Sequence, residues 1–129
     1  MQITSSLTTS TCVLFVATTK PIEAIRFYTL VLGFKPIDDT PFATVFQVGK
    51  NKLRVQKVEK FTPQPFTVLG WEVRNLVNTV EELTKRGVVF ERFPGIKQDA
   101  AGIWATPDGA KVAWFRDPDG NILSVNQPK

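Results

Sequence analysis

The pattern of hydrophobic and polar residues begins with a strand followed by a helix. Residues 12–18, CVLFVAT, form a short apolar run rich in β-branched side chains, which is typical of a strand. In residues 19–33, Thr19 can cap a helix, Pro21 suits its first turn and Gly33 suits its end. One face of this amphipathic helix would carry its apolar positions, which are Ile22, Ile25, Tyr28 or Leu32, and Val31.

Three further runs of strand length follow the first helix. They are residues 34–38, 42–48 and 52–58, with the sequences FKPID, FATVFQV and KLRVQKV. A Gly-Lys-Asn turn at residues 49–51 joins the last two runs as a hairpin. The first half of the chain is therefore predicted to have the order strand, helix, strand, strand, strand.

The second half of the chain repeats this order. Residues 66–73, FTVLGWEV, predict a strand, and a helix is predicted between Asn75 as its cap and Gly87 as its stop. The buried stripe of that helix would be Leu76, Val80 and Leu83. Residues 88–93, VVFERF, predict the next strand.

A loop and a hairpin complete the second half. The loop, residues 94–110, is rich in Gly, Pro and Asp, and we expect a short strand around residues 103–105 within it. The hairpin, residues 111–125, turns at Asp-Pro-Asp-Gly-Asn, where Asp117 and Asp119 are expected to stabilise the turn through its own backbone.

The repeat predicts the fold class and the domain organisation. Two copies of a βαβββ unit indicate an internal duplication within one domain of 129 residues, and the fold class is α+β. Module one is predicted to span residues 11–60 and module two residues 66–127, with a connector at residues 61–65.

Composition and charge exclude several classes of partner. No apolar run approaches the roughly 20 residues of a membrane helix, so no membrane contact is expected. The formal charge is +4, but the basic residues of the stretch 50–60 alternate with apolar ones, which favours a solvated strand face over a nucleic-acid surface. The N-terminal segment lacks the features of a signal peptide, and a single cysteine suits a reducing compartment, so we expect a cytoplasmic protein.

The chain contains no histidine, and this limits its chemistry. The commonest general base and the commonest transition-metal ligand are both missing. Cys12 alone cannot build a zinc or iron site, and it has no histidine to activate it as a nucleophile. Cys12 is therefore interpreted as a small buried hydrophobic residue.

Two motifs, one in each half of the chain, resemble those of a known family. FYTLVLGF, residues 27–34, ends the first helix, and WFRDPDGNILSV, residues 114–125, closes the second module. Together with the duplicated unit they resemble the vicinal oxygen chelate superfamily, which includes glyoxalase I, extradiol dioxygenases, fosfomycin-resistance enzymes and bleomycin-resistance proteins. The resemblance covers about residues 12–127 and implies two modules whose curved sheets enclose a pocket.

The resemblance also implies where metal ligands would lie. The histidines of the family's metalloenzymes would fall near Val13 and Val68, the closing glutamate falls on Ser124, and the remaining ligand falls near Gln56. Valine cannot bind a metal, and a divalent cation needs more than one neutral protein oxygen. We therefore predict no metal and no cofactor.

Strand alternation predicts which side chains enter the pocket. The set under the helices would be Leu53, Val55, Leu123 and Val125, together with Leu69, Trp71 and Val73. The inward set would be Arg54, Gln56, Ile122 and Ser124, together with Val68, Gly70 and Glu72. Two alternatives remain for Arg54 and Glu72: they pair with each other, or a one-residue shift in register turns them to water.

Aromatic side chains add possible walls to this pocket. Trp104 either plugs the loop around it or is available to a ligand, and Trp114 and Phe46 are candidates of the same kind. The predicted ligand-binding residues are accordingly Arg54, Gln56, Glu72, Trp104, Trp114, Ser124 and Phe46.

The leading functional hypothesis is a metal-free protein that binds or sequesters a small, partly aromatic or anionic molecule. One alternative is a lyase or isomerase of the same superfamily that is metal-independent or uses an atypical carboxylate site built on Glu72. Another is a non-catalytic subunit of a larger assembly. Because family members commonly pair modules across two chains and open sheet edges are usually covered, we also expect a homodimer.

Overall fold

The computed structural model of the protein describes residues 2–129 and contains two four-stranded sheets, with the strand orders β1-β4-β3-β2 and β5-β8-β7-β6. The first sheet contains β1 (Val13–Thr18), β2 (Lys35–Asp39), β3 (Ala43–Val48) and β4 (Asn51–Lys57). The second contains β5 (Thr67–Glu72), β6 (Trp104–Ala105), β7 (Lys111–Arg116) and β8 (Ile122–Gln127). The helices are α1 (Pro21–Arg26), which continues as a π-helical turn (Phe27–Val31), and α2 (Leu76–Lys85), and a short 3-10 turn (Ser6–Thr9) precedes β1.

Both sheets are built in the same way. In each of them the first strand lies parallel to the last, β1 beside β4 and β5 beside β8, while the hairpin strands pair antiparallel. A parallel pair requires a crossover connection, which each module begins with its helix. The predicted α+β fold with two βαβββ modules is therefore confirmed.

Helix α2 agrees with its sequence pattern. The Asn75 side chain accepts a hydrogen bond of 3.1 Å from the Asn78 backbone N–H and caps the helix. The buried residues of the helix are Leu76, Val80 and Leu83, as predicted. On its exposed face Arg86 donates to Glu82 over 3.0 Å, one helical turn away.

The first helix differs from its prediction. It begins at Pro21 after Lys20, Thr19 is not its cap, and Ile22 is 69% exposed. Its buried positions are Ala24 and Tyr28. The helix widens after α1, where the Leu32 backbone N–H bonds to the Phe27 carbonyl over 3.1 Å. That i to i+5 bond adds a residue to the last turn. Ala24 and Tyr28 are four residues apart, so the buried face follows regular helical spacing but is centred on them rather than on Ile22.

Residues 88–93 do not form the predicted regular strand. These residues still contact β7, where the Glu91 backbone N–H donates a hydrogen bond of 2.8 Å to the Trp114 carbonyl. The Gln98 side chain bonds both the Glu91 carbonyl and the Phe93 N–H over 2.8 Å, so it uses backbone groups that a neighbouring strand would use. The short strand expected in the loop is present as β6.

The Asp-Pro-Asp-Gly-Asn turn connects the two modules. Asp117 accepts hydrogen bonds from the turn backbone, as predicted, but the Asp119 side chain reaches module one. Its carboxylate accepts bonds from the Thr18 hydroxyl over 2.5 Å and from the Thr19 N–H over 2.7 Å. Asn121 donates to the Ala17 carbonyl over 3.0 Å. These bonds fix the end of β1 against the turn of module two.

The position of Cys12 and the length of the helices complete the description of the fold. Cys12 is exposed rather than buried, because it lies just before β1 at the edge of the first sheet. Within residues 2–129 no helix combines the length and apolar character that crossing a membrane requires.

Candidate functional site

Each sheet has one face covered by the helical core and one face turned away from it, which we call the open face. Leu53 and Val55 of β4 and Leu123 and Val125 of β8 are buried, as their alternation predicts. The residues between them, Arg54 and Ser124 among them, are more exposed and lie on the open faces. The sequence therefore predicted correctly that these four residues of β4 and β8 face the helices.

The open face of the first sheet carries a cation among apolar side chains. The register places Phe15, Arg54 and Val45 in one row across β1, β4 and β3. Phe15 is 54% exposed. A cavity of about 430 Å³ lies over this face and is lined by Val13, Ile37, Asp38, Val45, Lys52 and Arg54.

The charges in this cavity do not cancel. It contains two cations, Lys52 and Arg54, and one carboxylate, Asp38. Within the described chain the salt bridges are Lys57–Asp39, Arg86–Glu82 and Arg116–Glu91, so Arg54 and Glu72 do not pair with each other. The cavity therefore has a net positive charge and is suited to an anion.

The open face of the second sheet carries a glycine and a serine beside a tryptophan. Gly70, Ser124 and Trp114 form one row across β5, β8 and β7. A Cβ atom built on Gly70 would lie 2.6 Å from the Ser124 Oγ. Because such a contact is too short for real atoms, the absence of a side chain at Gly70 is what allows the Ser124 hydroxyl its position.

An aromatic cluster includes the tryptophan of this row and borders the glycine and the serine. The Trp104 and Trp114 rings are stacked, with centroids 6.2 Å apart and planes at 25°, and Phe93 meets Trp114 edge-on at 5.4 Å. Both tryptophans are half-buried. Packing accounts for part of each indole surface, and the remainder is accessible on the open face of the sheet.

Phe46 is a correction to the predicted site. It is fully buried in the core, and its ring centroid lies 5.8 Å from that of Tyr28. Phe46 lies one residue from Val45 on β3, so strand alternation turns it to the helical side of the sheet. A ligand on the open face therefore cannot contact it.

The remaining candidates have mixed positions. Gln56 is exposed and pairs in register with Ala17 on the first sheet. Glu72 is exposed at the end of β5, and it borders a cavity of about 290 Å³ on the helical side together with Glu82 and Arg86. Ile122, expected to face inward, is 4% exposed and contributes little surface to a ligand.

The structure does not bring the predicted site residues into one cavity. The residues that line the cavity at Arg54 all come from module one. Trp104, Trp114 and Ser124 lie on the second sheet. Sequence analysis also missed Phe15, although its alternation with Val13 on the first strand is the signal that would have identified it.

The resemblance puts the metal ligands of the family near Val13, Val68, Gln56 and Ser124. Ser124 pairs with Gly70 on β5, while on β4 Arg54 pairs with Phe15 and Gln56 with Ala17. A guanidinium is always protonated and offers no lone pair to a metal, so Arg54 could not replace Gln56 as a ligand.

The side chains present do not fit that metal centre. Val13, Val68, Gln56 and Ser124 together offer one amide oxygen and one hydroxyl oxygen, too few for a divalent cation. Across residues 2–129 there is no group of three or more His, Cys, Asp or Glu side chains arranged to hold a metal ion. We therefore derive no chemistry through a bound metal.

Solved structures share this fold. A protein described as a member of the glyoxalase family from Bacillus anthracis is 20% identical, with a TM-score of 0.74 over 100% of both chains. Lactoylglutathione lyase from Agrobacterium tumefaciens is 13% identical, with a TM-score of 0.71 over 92% of this chain and 93% of that one. TnmS3, an antibiotic binding protein from Streptomyces sp. CB03234, is 23% identical, with a TM-score of 0.70 over 94% and 97%.

Sequence comparison gives the family directly. No curated protein sequence matches the chain significantly. The family model for the Glyoxalase/Bleomycin resistance protein/Dioxygenase superfamily matches residues 11–125, which is most of the chain. This protein therefore belongs to the Glyoxalase/Bleomycin resistance protein/Dioxygenase superfamily.

Proposed function

We propose that the protein binds a small, flat, anionic molecule on its open faces without the help of a metal. The observation that carries the proposal is Arg54, a guanidinium in a cavity of about 430 Å³ that has no salt bridge within the described residues. Arginine offers a planar fork of donors that suits a carboxylate, a phosphate or an enolate. The antibiotic-binding relative of the same fold supports a binding role.

The apolar surroundings of Arg54 define the rest of the ligand. Phe15 lies beside it in register, and Val13, Ile37 and Val45 line the same cavity. A guanidinium next to such surfaces loses part of its hydration, which strengthens its pairing with an anion. Flat aromatic groups would gain most from the phenylalanine face.

We also propose that the site is completed by a second copy of the chain in a homodimer. Arg54 and the Trp104–Trp114 pair lie on different modules, and large apolar residues on the open faces are left exposed. They include Val13 at 47%, Phe15 at 54% and Val68 at 37% exposure. Two-fold pairing would cover these residues and would place the tryptophans of one copy opposite Arg54 of the other.

The expected location follows from cysteine use. Cys12 is the one cysteine of the chain, so an internal disulfide cannot form. Such a protein suits a reducing compartment, and we propose the cytoplasm.

The binding proposal is tested first with ligand discovery and then with variants. Native mass spectrometry identifies co-purifying small molecules, and anthraquinone carboxylate serves as a defined flat anionic probe in calorimetry. We expect Arg54→Ala to weaken probe binding about tenfold or more, as expected for loss of a hydrogen bond to a charged group. Trp114→Ala should weaken probe binding by a few kcal/mol at most, because each Å² of apolar contact that is lost costs about 25 cal/mol.

Two matched variants give this test its controls. Ser124→Ala removes one small neutral hydroxyl and should change the Kd about twofold or less. Lys50→Ala removes a charge on the turn between β3 and β4 and should leave binding unchanged. If Ser124→Ala abolished binding while Arg54→Ala had no effect, the assignment of Arg54 to the ligand would be wrong.

A further inference from the structure

Another cavity lies on the opposite side of module two from the open face. It measures about 500 Å³ and lies between the C-terminal half of α2, residues 88–92 and residues 100–102 of the loop. We call it the helix–loop groove. Its apolar lining includes Val80, Val88, Phe90 and Ala101. A volume of this size is within the range of small-molecule sites.

The loop wall of the groove is held in place by side-chain hydrogen bonds. Gln98 donates to the carbonyls of Glu91 and Gly102 over 2.8 Å. Asp99 Oδ1 accepts from the backbone N–H groups of Ala101 and Ile103 over 2.9 Å. The wall is therefore preorganised, and a ligand would not have to order it.

The groove has no counterpart in module one. There, the first helix ends near Gly33 and β2 begins at Lys35, so no loop is inserted. In module two, the long segment between Gly87 and β7 folds back beside α2 and creates the second wall. The duplication alone therefore does not account for the groove.

The polar lining of the groove carries an excess of positive charge. Lys85 and Arg92 face a single acidic residue, Glu81. The Arg92 guanidinium donates one hydrogen bond, of 2.5 Å, to the Asp99 carbonyl and is otherwise available within the described chain. Val89, which also lines the groove, is 78% exposed, so apolar surface continues to the rim.

We propose that the helix–loop groove is a separate binding site for an amphipathic carboxylate. The apolar chain of the ligand lies against Val88 and Phe90, and its carboxylate pairs with Lys85 and Arg92. The cations are compatible with a carboxylate because they outnumber Glu81 in the lining of the groove. This inference does not rest on the function proposed for the open faces.

The test uses decanoate as the probe and isothermal titration calorimetry on the full chain. We expect saturable binding of decanoate and much weaker binding of decanol, which has no charge. Lys85→Glu should raise the Kd about tenfold or more, because it replaces an attraction with a repulsion. Ala101→Trp fills the groove and should abolish binding, and Lys50→Glu is the charge-matched control that should leave it unchanged.

Two results would overturn the proposal. One is the absence of saturable decanoate binding to the wild-type chain. The other is binding that Arg54→Ala removes and Lys85→Glu does not, since decanoate would then occupy the open face of module one. Lys85 is an exposed residue, so its variant is expected to fold even if Ala101→Trp does not.

Discussion

Burial raises the pKa of the Asp117 carboxyl group, and the hydrogen bonds that it accepts lower this pKa. Its oxygens accept bonds from the Tyr28 hydroxyl over 2.7 Å, from the Asn121 amide over 2.8 Å, and from the backbone N–H groups of Asp119 and Asn121. Burial is the larger effect and raises the pKa of Asp117 above its usual value. Burial likewise raises the pKa of the Tyr28 hydroxyl, which stays a donor.

The raised pKa of Asp117 has a defined consequence for stability. Between its unfolded and folded pKa values, the folded protein binds more protons than the unfolded chain. The contribution of Asp117 is therefore fully present below its unfolded pKa and is lost as the pH rises through the folded pKa. When Asp117 is ionised, hydrogen bonds such as that from Tyr28 offset part of the cost of the buried charge.

Tyr28→Phe removes one of these bonds and keeps the ring. We expect it to lower the free energy of unfolding at neutral pH by about 1.5–3 kcal/mol, the range for a hydrogen bond to a charged group. The loss should shrink at acidic pH, because the tyrosine bond lowers the pKa of Asp117 and matters most when Asp117 is ionised. Urea unfolding at both pH values measures this. Equal stabilities at neutral pH would contradict the prediction.

At the scale of elements, local signals were sufficient for α2 and insufficient for residues 88–93. The cap, the buried stripe and the final turn of α2 are all determined within the helix itself. Residues 88–93 have the composition of a strand, but the Gln98 side chain bonds their backbone from five residues or more along the chain. The bonds from Gln98 lie outside the segment itself, so the pattern within residues 88–93 gave no sign of them.

Asn75→Ala tests the cap of α2. Loss of its side-chain bond to the Asn78 N–H should lower the free energy of unfolding by about 1 kcal/mol, the usual effect of removing an N-cap. Asn75→Asp keeps an acceptor and should be close to the wild type. Asn78→Ala is the matched control, because Asn78 is exposed inside the same helix, and it should cost nothing or stabilise slightly. Chemical denaturation of the variants compares them, and equal effects of Asn75→Ala and Asn78→Ala would argue against the cap.

At the scale of the whole molecule, the turn of module two connects the modules, while the candidate site residues are distributed over the open faces of two different sheets. Asp119 and Asn121 bond module one at the end of β1. The open faces are left with exposed apolar side chains and with Arg54 and the tryptophans in separate places. These features motivate the homodimer that we propose.

Phe15→Glu tests that homodimer. Light scattering of the wild type at micromolar concentration should give the mass of two chains, and a carboxylate in place of the exposed Phe15 ring should shift the equilibrium to monomer. Leu30→Glu is the matched control, because Leu30 is 68% exposed on the first helix, away from the open faces. A monomeric wild type, or equal dissociation of the two variants, would contradict the proposed interface.

The sequence by itself determined the α+β class, the alternation on β4 and β8, and the duplicated order of elements apart from the strand predicted at residues 88–93. It could do so because these features depend on local periodicity and on turn residues such as those around Gly120. The residue types at Val13, Val68 and Ser124, where the resemblance puts the family's metal ligands, can likewise be read from the sequence.

Only the tertiary structure decided which candidates share a cavity. It buried Phe46, separated Arg54 from Trp114, and showed that the Asp119 side chain bonds module one rather than its own turn. The physical reason is that these outcomes depend on how two sheets and a widened helix pack together. Such contacts join residues far apart in the chain, and periodicity within one element carries no information about them.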